Sequence, residues 1–123
     1  MSKIGTQGWL DLTVDDADAA RAFYSSVLGW TPNGIQMTDE QGAYEDHVML
    51  AGEAPVGGIC NRRGDNHKLP PVWLPYFVVA SLETALATAL SQGAELIDGR
   101  QKMAVVRDPA GAVFALWQGD PED

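Results

Sequence analysis

Glu45, Asp46 and His47 form a run of groups able to move protons or hold a metal ion. The free pKa of a histidine lies near working pH, so His47 could act as a general base or as a metal ligand. On a strand, neighbouring side chains point to opposite faces, so only Glu45 and His47 can converge. Two donors are too few for a tight metal site, and a hydrogen-bonded strand histidine is the preferred account of His47. Trp9, Trp73 and Trp117 offer faces on which a planar or cationic ligand could stack. Core packing competes with that role and is preferred for Trp73 and Trp30. Arg62, Arg63 and Arg107 could meet a carboxylate ligand, although surface ion pairing is the commoner use of arginine. Cys60, the only cysteine, has no base or second thiol spaced to activate it. His67 falls in a polar segment and is expected to face solvent, and Gly57-Gly58 makes no complete phosphate-binding loop.

These residues must be held by elements that the hydrophobic pattern outlines. Trp9–Val14 alternates Leu10, Leu12 and Val14 with Trp9, Asp11 and Thr13, as a strand does. Asp15 or Asp16 can open a helix over Ala20, Phe23, Tyr24, Val27 and Leu28, which Gly29 stops. Gly34–Gly42 reads as a polar, turn-rich stretch. Tyr44–Leu50 reads as a strand with Tyr44, Val48 and Leu50 on one parity and Glu45, His47 and Met49 on the other. Pro55–Cys60 is a short strand in which the glycine pair permits a bulge or close approach. A polar linker with Gly64 and Pro70-Pro71 leads to a strand over Val72–Val79. Ser81 then caps a helix over Leu82, Ala85, Leu86, Ala89 and Leu90, stopped by Gly93. Strands at Glu95–Asp98, Met103–Arg107 and Ala112–Gln118 follow, the last two joined by the turn residues Asp108-Pro109-Ala110-Gly111. The order is β-α-β-β-β, written twice.

A chain of 123 residues with 46% hydrophobic content suits one compact domain. No apolar run reaches the roughly 20 residues of a membrane span, and Met1–Gly5 lacks the apolar core of a secretory signal. With a single cysteine and no sign of an oxidising compartment, a cytoplasmic protein is expected. The net charge of −9 repels nucleic acid and anionic membranes, so neither is expected as a partner. The acid excess is larger in residues 1–62 than beyond, and the acidic tail at 120–123 is expected to fray.

Val14-Asp15-Asp16 leading to Phe23-Tyr24 and Val27-Leu28-Gly29-Trp30, Trp73–Val79 before the second helix, and Asp108-Pro109-Ala110-Gly111 followed by Phe114 and Trp117 together resemble the vicinal oxygen chelate superfamily. This is the glyoxalase, bleomycin-resistance and extradiol dioxygenase fold. The resemblance spans about residues 8–119 and implies an α+β single domain. Two tandem βαβββ modules, about 8–61 and 72–119 with a linker at 62–71, would form a half-open, sheet-lined cup. It also implies a homodimer.

Metal-dependent members of that superfamily carry a histidine where this chain has Trp9 and Leu74, and a carboxylate where it has Ala115 and, near the end of the first module, Gly58. None of these side chains ligates a divalent ion, so no metal or other cofactor is expected. The groove lining implied by these positions and by strand parity is Trp9, Asp11, Glu45, His47, Leu74, Tyr76, Ala115 and Trp117. An aromatic and apolar groove with a few polar points is the usual make-up of a small-molecule site. The expectation is a metal-independent binding protein of the glyoxalase/bleomycin-resistance type rather than an enzyme. It would sequester a cationic or aromatic compound, with Trp9, Tyr76 and Trp117 stacking and Asp11 and Glu45 supplying charge. The alternative is a divergent metal-dependent lyase, isomerase or dioxygenase that uses Glu45 and His47.

Overall fold

The computed structural model describes residues 3–119, so the acidic tail expected to fray lies outside the described residues. The described chain has eight strands and two α-helices in the α+β class expected, with parallel and antiparallel strand pairs mixed. Leu10–Trp73 form one compact unit, while residues up to Trp9 and those from Leu74 onward form the other.

The first unit contains β1 (Gln7–Val14, its first three residues excepted), α1 (Ala17–Leu28), β2 (Thr31–Asp39), β3 (Gly42–Ala51) and β4 (Ala54–Asn61). Its strand order is β2-β3-β4-β1. The β1–β4 pair is parallel, with Asp11 opposite Gly58. Asp16 starts α1 by accepting the Ala19 N–H at 3.0 Å, and Gly29 ends it at φ 73°, where its N–H reaches the Ser25 carbonyl. Between them Ala17, Met49 and Ile59 are fully buried against Val14, Ala20, Tyr24, Trp30, Val56 and Trp73. Burying Met49 and Ile59 contributes about 1.5–3 kcal/mol each. Trp73 packs here as expected, donating its indole N–H to the Tyr24 hydroxyl at 3.0 Å.

Two features of this unit differ from the sequence pattern. Gly34–Gly42 is no loop: β2 pairs with β3 from Thr31–Leu50 to Asp39–Gly42. As an edge strand exposed along most of its length, β2 has no buried face to impose apolar alternation, and Ile35 is 44% exposed. On α1 the helical spacing is right but the face is turned. Ala17, Ala20 and Tyr24 pack on the sheet, whereas Phe23, Val27 and Leu28 are exposed.

The second unit contains β5 (Trp73–Val79, Trp73 excepted), α2 (Leu82–Ser91), β6 (Glu95–Gly99), β7 (Met103–Arg107) and β8 (Val113–Gln118). Their order is β5-β8-β7-β6, with β5 and β8 parallel. Ser81 caps α2 through the Thr84 N–H, and the Gln118 side chain accepts the Leu82 N–H at 2.8 Å. Leu82, Ala104 and Leu116 are buried with Val79, Ala85, Leu86 and Phe114. The Asp108–Gly111 turn closes as its residues suggest. Asp108 accepts the Ala110 and Ala112 N–H groups at 2.8 and 2.9 Å, and Gly111 takes φ 96°. The start of the chain also belongs here: Gly5 N–H donates to the Val78 carbonyl and Val78 N–H to that of Thr6.

Candidate functional site

Strand parity determines which side chains of the second unit are left for a ligand. Val79, Phe114 and Leu116 pack with α2, so Leu74, Tyr76, Ala115 and Trp117 take the opposite face. Register places Tyr76 beside Ala115, Val78 beside Trp117, and Trp117 beside Met103. Leu74, Val105 and Ala115 are fully buried, and a cavity of about 420 Å³ opens beside Gly8, Trp9, Tyr76, Met103 and Trp117, with Arg100 and Lys102 at hand. That volume falls within the range of small-molecule sites. Gly8 is needed where it stands. A Cβ there would lie 2.6 and 2.8 Å from ring carbons of Trp117 and 3.0 Å from Val78, so only glycine lets the indole lie against the backbone. The guanidinium of Arg100 is held by Asp98, whose Oδ2 accepts its Nε–H at 3.1 Å and an Nη2–H at 3.0 Å.

Of the eight residues expected to line a groove, Trp9, Tyr76 and Trp117 line this cavity, and Leu74 and Ala115 share its sheet face as buried hydrocarbon. Asp11, Glu45 and His47 belong to the other unit. There the facing expected for β3 is corrected. His47 and Met49 turn toward α1, not toward an open groove: Met49 packs with Ala17, and His47, 2% exposed, meets Asp18 with Nε2 2.9 Å from its Oδ1. β3 carries apolar groups on both parities, so in the sequence pattern Tyr44, Val48 and Leu50 compete with Met49 for the core. Glu45 Oε1 lies 3.9 Å from His47 Nδ1 and accepts from Gln36. Asp18 thus joins Glu45 and His47, and one donor atom from each lies within 4.8 Å of the others. Sequence reasoning missed Asp18 because only the packing of α1 over β3 brings it there. Its one local signal is an acid in the first turn of a helix.

The Asp46 carboxylate, on the opposite parity, is buried and accepts from both the backbone and the side-chain amide of Asn61. Asn61 also donates to the Glu45 carbonyl and accepts the Ala17 N–H, tying the start of α1 to β3 and β4. Further along, Arg63 grips Asp39 through two hydrogen bonds at 2.6 and 2.9 Å and lies 4.2 Å over the Tyr44 ring. The hydrogen bond from Arg63 holds the Asp39 carboxyl below its ordinary value, and the same bond raises the guanidinium of Arg63. Burial and the nearby carboxylates push the Tyr44 hydroxyl up. Arg62 pairs with Asp15 and with the Leu69 carbonyl, so both arginines serve the ion pairing expected of them. His67 is exposed, as expected, with Nδ1 3.0 Å from the Gly64 carbonyl.

The positions that carry metal ligands in metal-dependent members do not fit a divalent ion here. Leu74 and Ala115 present buried hydrocarbon, Trp9 presents an indole, and a Cβ at Gly58 would run into the Asp11 carboxylate.

This doubled βαβββ arrangement agrees with the comparison of the chain against known proteins. The model of the glyoxalase-like domain matches residues 9–117, and the chain belongs to that family, within the vicinal oxygen chelate superfamily. It is 29% identical over 122 residues to CFP32 of Mycobacterium tuberculosis, a glyoxylase by name, covering 94% of this chain and 46% of the relative. It is also 29% identical to the anthracycline biosynthesis protein DnrV of Streptomyces peucetius, covering 93% and 47%. The chain therefore spans about half the length of these curated relatives. Among solved structures, the hypothetical protein BH1468 of Bacillus halodurans superposes with a TM-score of 0.62 at 13% identity, covering 98% of this chain and 99% of the other. The methylmalonyl-CoA epimerase of Mycobacterium tuberculosis gives 0.58 at 15% identity, covering 99% and 93%. At such identities the likeness is one of fold. Among the described residues no helix is long and apolar enough to cross a membrane.

Proposed function

We propose that this chain binds a small planar molecule in the cavity beside Trp9, Tyr76 and Trp117, with no metal ion as anchor. The observation that carries this is the 420 Å³ space lined by three aromatic side chains and Met103, set against buried hydrocarbon. Aromatic faces give large contact area at low conformational cost, and stacked pairs add about 0.5–1.5 kcal/mol beyond area burial. A relative named for anthracycline biosynthesis is in keeping with a fused-ring ligand. The cationic compound expected from the sequence has no support in this cavity: Asp11 and Glu45 are not among its lining, whereas Arg100 and Lys102 are. The homodimer expected from the resemblance is a separate proposal, read by sedimentation.

The test is a melting-temperature screen against fused-ring compounds, repeated with Trp117→Ala. A ligand at 100 times its Kd should stabilise the fold by about 2.7 kcal/mol. Stabilisation that survives Trp117→Ala unchanged would refute the assignment of the site.

A second reading has its own observation. Asp18, Glu45 and His47 bring three donor atoms within 4.8 Å, which the strand alone could not do. Against it, His47 already pairs with Asp18 at 2.9 Å, the arrangement of a structural histidine. Stoichiometric zinc, nickel, iron or manganese in purified protein, lost in both His47→Ala and Asp18→Ala, would establish this reading and displace the metal-independent one.

A further inference from the structure

We propose that the ligand of the aromatic cavity is an electron-poor planar ring, its π system drained by conjugated carbonyl groups as in a quinone or a cyclic imide. This deepens the binding reading above and rests on it. The aromatic residues of the second unit are divided between the two faces of its sheet by electron content. Its tryptophans, Trp9 and Trp117, and its one tyrosine, Tyr76, all line the cavity. Its phenylalanines, Phe77 and Phe114, share the other face with ring centres 5.8 Å apart, and Phe114 packs there with α2. Burial of apolar area is served by either kind of ring, so area alone does not account for the division. The polar edges of indole and phenol also suit a face open to water, but that gives no preference between ring ligands of one shape and charge.

Indole and phenol carry negative potential over their faces. Two such faces repel when laid flat on each other, which is why like rings shift to offset or edge-on pairs. A ring whose electrons are withdrawn by carbonyl groups presents the opposite sign, so it can lie flat on an indole over its whole area. Trp117 is the donor ring whose seat is best defined. Its Cζ3 lies 2.6 Å from where a Cβ of Gly8 would stand, so one edge rests on backbone while the side chain also borders the cavity. Register puts Met103 beside Trp117, and its polarisable sulfur adds a further electron-rich group to the lining. An electron-rich ring of the same outline would gain the buried area without the complementary charge distribution.

Calorimetric titration with anthraquinone-2-sulfonate and anthracene-2-sulfonate, with difference absorption recorded on the same samples, tests this. Both probes are fused tricycles bearing a single sulfonate, so the charges around the cavity act on them equally. The outer rings of the quinone leave no open position for addition of the Cys60 thiol. Anthraquinone-2-sulfonate should bind several-fold to about tenfold more tightly, the range of a favourable aromatic pair. Its complex should show a charge-transfer band absent from either component and from the anthracene complex. Trp117→Phe keeps a flat ring but lowers its electron content, so it should weaken the band and narrow the ratio of the two Kd values. Trp117→Ala should weaken both probes. Equal affinities, or tighter binding of the anthracene, with both lost in Trp117→Ala, would overturn the electron-poor assignment while leaving the cavity as the site. Tighter quinone binding with no band, unchanged by Trp117→Phe, would trace the preference to hydrogen bonds at the carbonyl oxygens and overturn the stacking account. Binding of neither probe, or binding indifferent to Trp117→Ala, would overturn the cavity reading and this inference with it.

Discussion

Gly8→Ala is the perturbation that most directly probes how the cavity is built. A methyl group at this position would lie 2.6 and 2.8 Å from carbons of the Trp117 indole and 3.0 Å from Val78, well inside contact distance. The backbone of Gly8 does not require glycine, since it is absent from the positive-φ residues, so the cost is steric and falls on Trp117. Overpacking of this kind costs about 1–3 kcal/mol. For a chain of this size that is a fall of roughly 5–15 °C in Tm. The assay is urea unfolding of the wild type, Gly8→Ala, Trp117→Ala and the double variant. If the methyl acts by displacing the indole, its cost should largely vanish once the indole is gone, giving a coupling energy of about 1 kcal/mol or more. Gly8→Ala should also weaken the binding of a fused-ring compound in the cavity, because the displaced ring no longer lines it in the same place. Strict additivity of the two substitutions, or a Gly8→Ala protein as stable as wild type, would refute the claim that this glycine seats the tryptophan.

Asn61→Ala removes the side chain that links Ala17, Glu45 and Asp46, leaving part-buried backbone and carboxylate groups without that partner. A loss of about 1–3 kcal/mol is expected by urea unfolding, and an unchanged midpoint would show the links to be dispensable. The Asp39–Arg63 pair predicts acid sensitivity. The folded pKa of Asp39 lies below its unfolded value, so its stabilisation is present in full above the ordinary carboxylate range and is lost as pH falls through the depressed value. Asp39→Asn should therefore lower Tm at pH 7 and make little difference at the acid end of the series. Loss of the same size at both extremes would refute the linkage.

How much could be read without coordinates depended on whether a residue had one buried face. In the second module the strands and helix fall within about two residues of their sequence boundaries, because Leu82, Ala85 and Leu86 repeat at helical spacing and Asp108–Gly111 marks its turn by residue type. β2 was illegible because an exposed edge strand needs no alternation. The facing of Glu45 and His47 was illegible because β3 has hydrophobic groups on both parities, and only the seat of Met49 beneath α1 chooses between them. Trp9, Tyr76 and Trp117 were found as a candidate stacking set, and the structure brings them to one cavity. Arg100 and Lys102 were not found, since charged residues in a short connection carry no mark of what they stand beside.

The order of residues by itself determined the doubled module, the helix stops at Gly29 and near Gly93, the Asp108 turn, and the replacement of ligating side chains by Trp9, Gly58, Leu74 and Ala115. These are local properties: spacing, backbone freedom and donor chemistry are written in the chain. Only the tertiary structure decided that Asp18 meets His47, that Asn61 fastens α1, and that two cations stand beside the aromatic cavity. Each of those meetings joins residues from different elements or loops. Their geometry is set by which helix face settles on which strands, a choice made by the sum of many packing contacts and by no single residue.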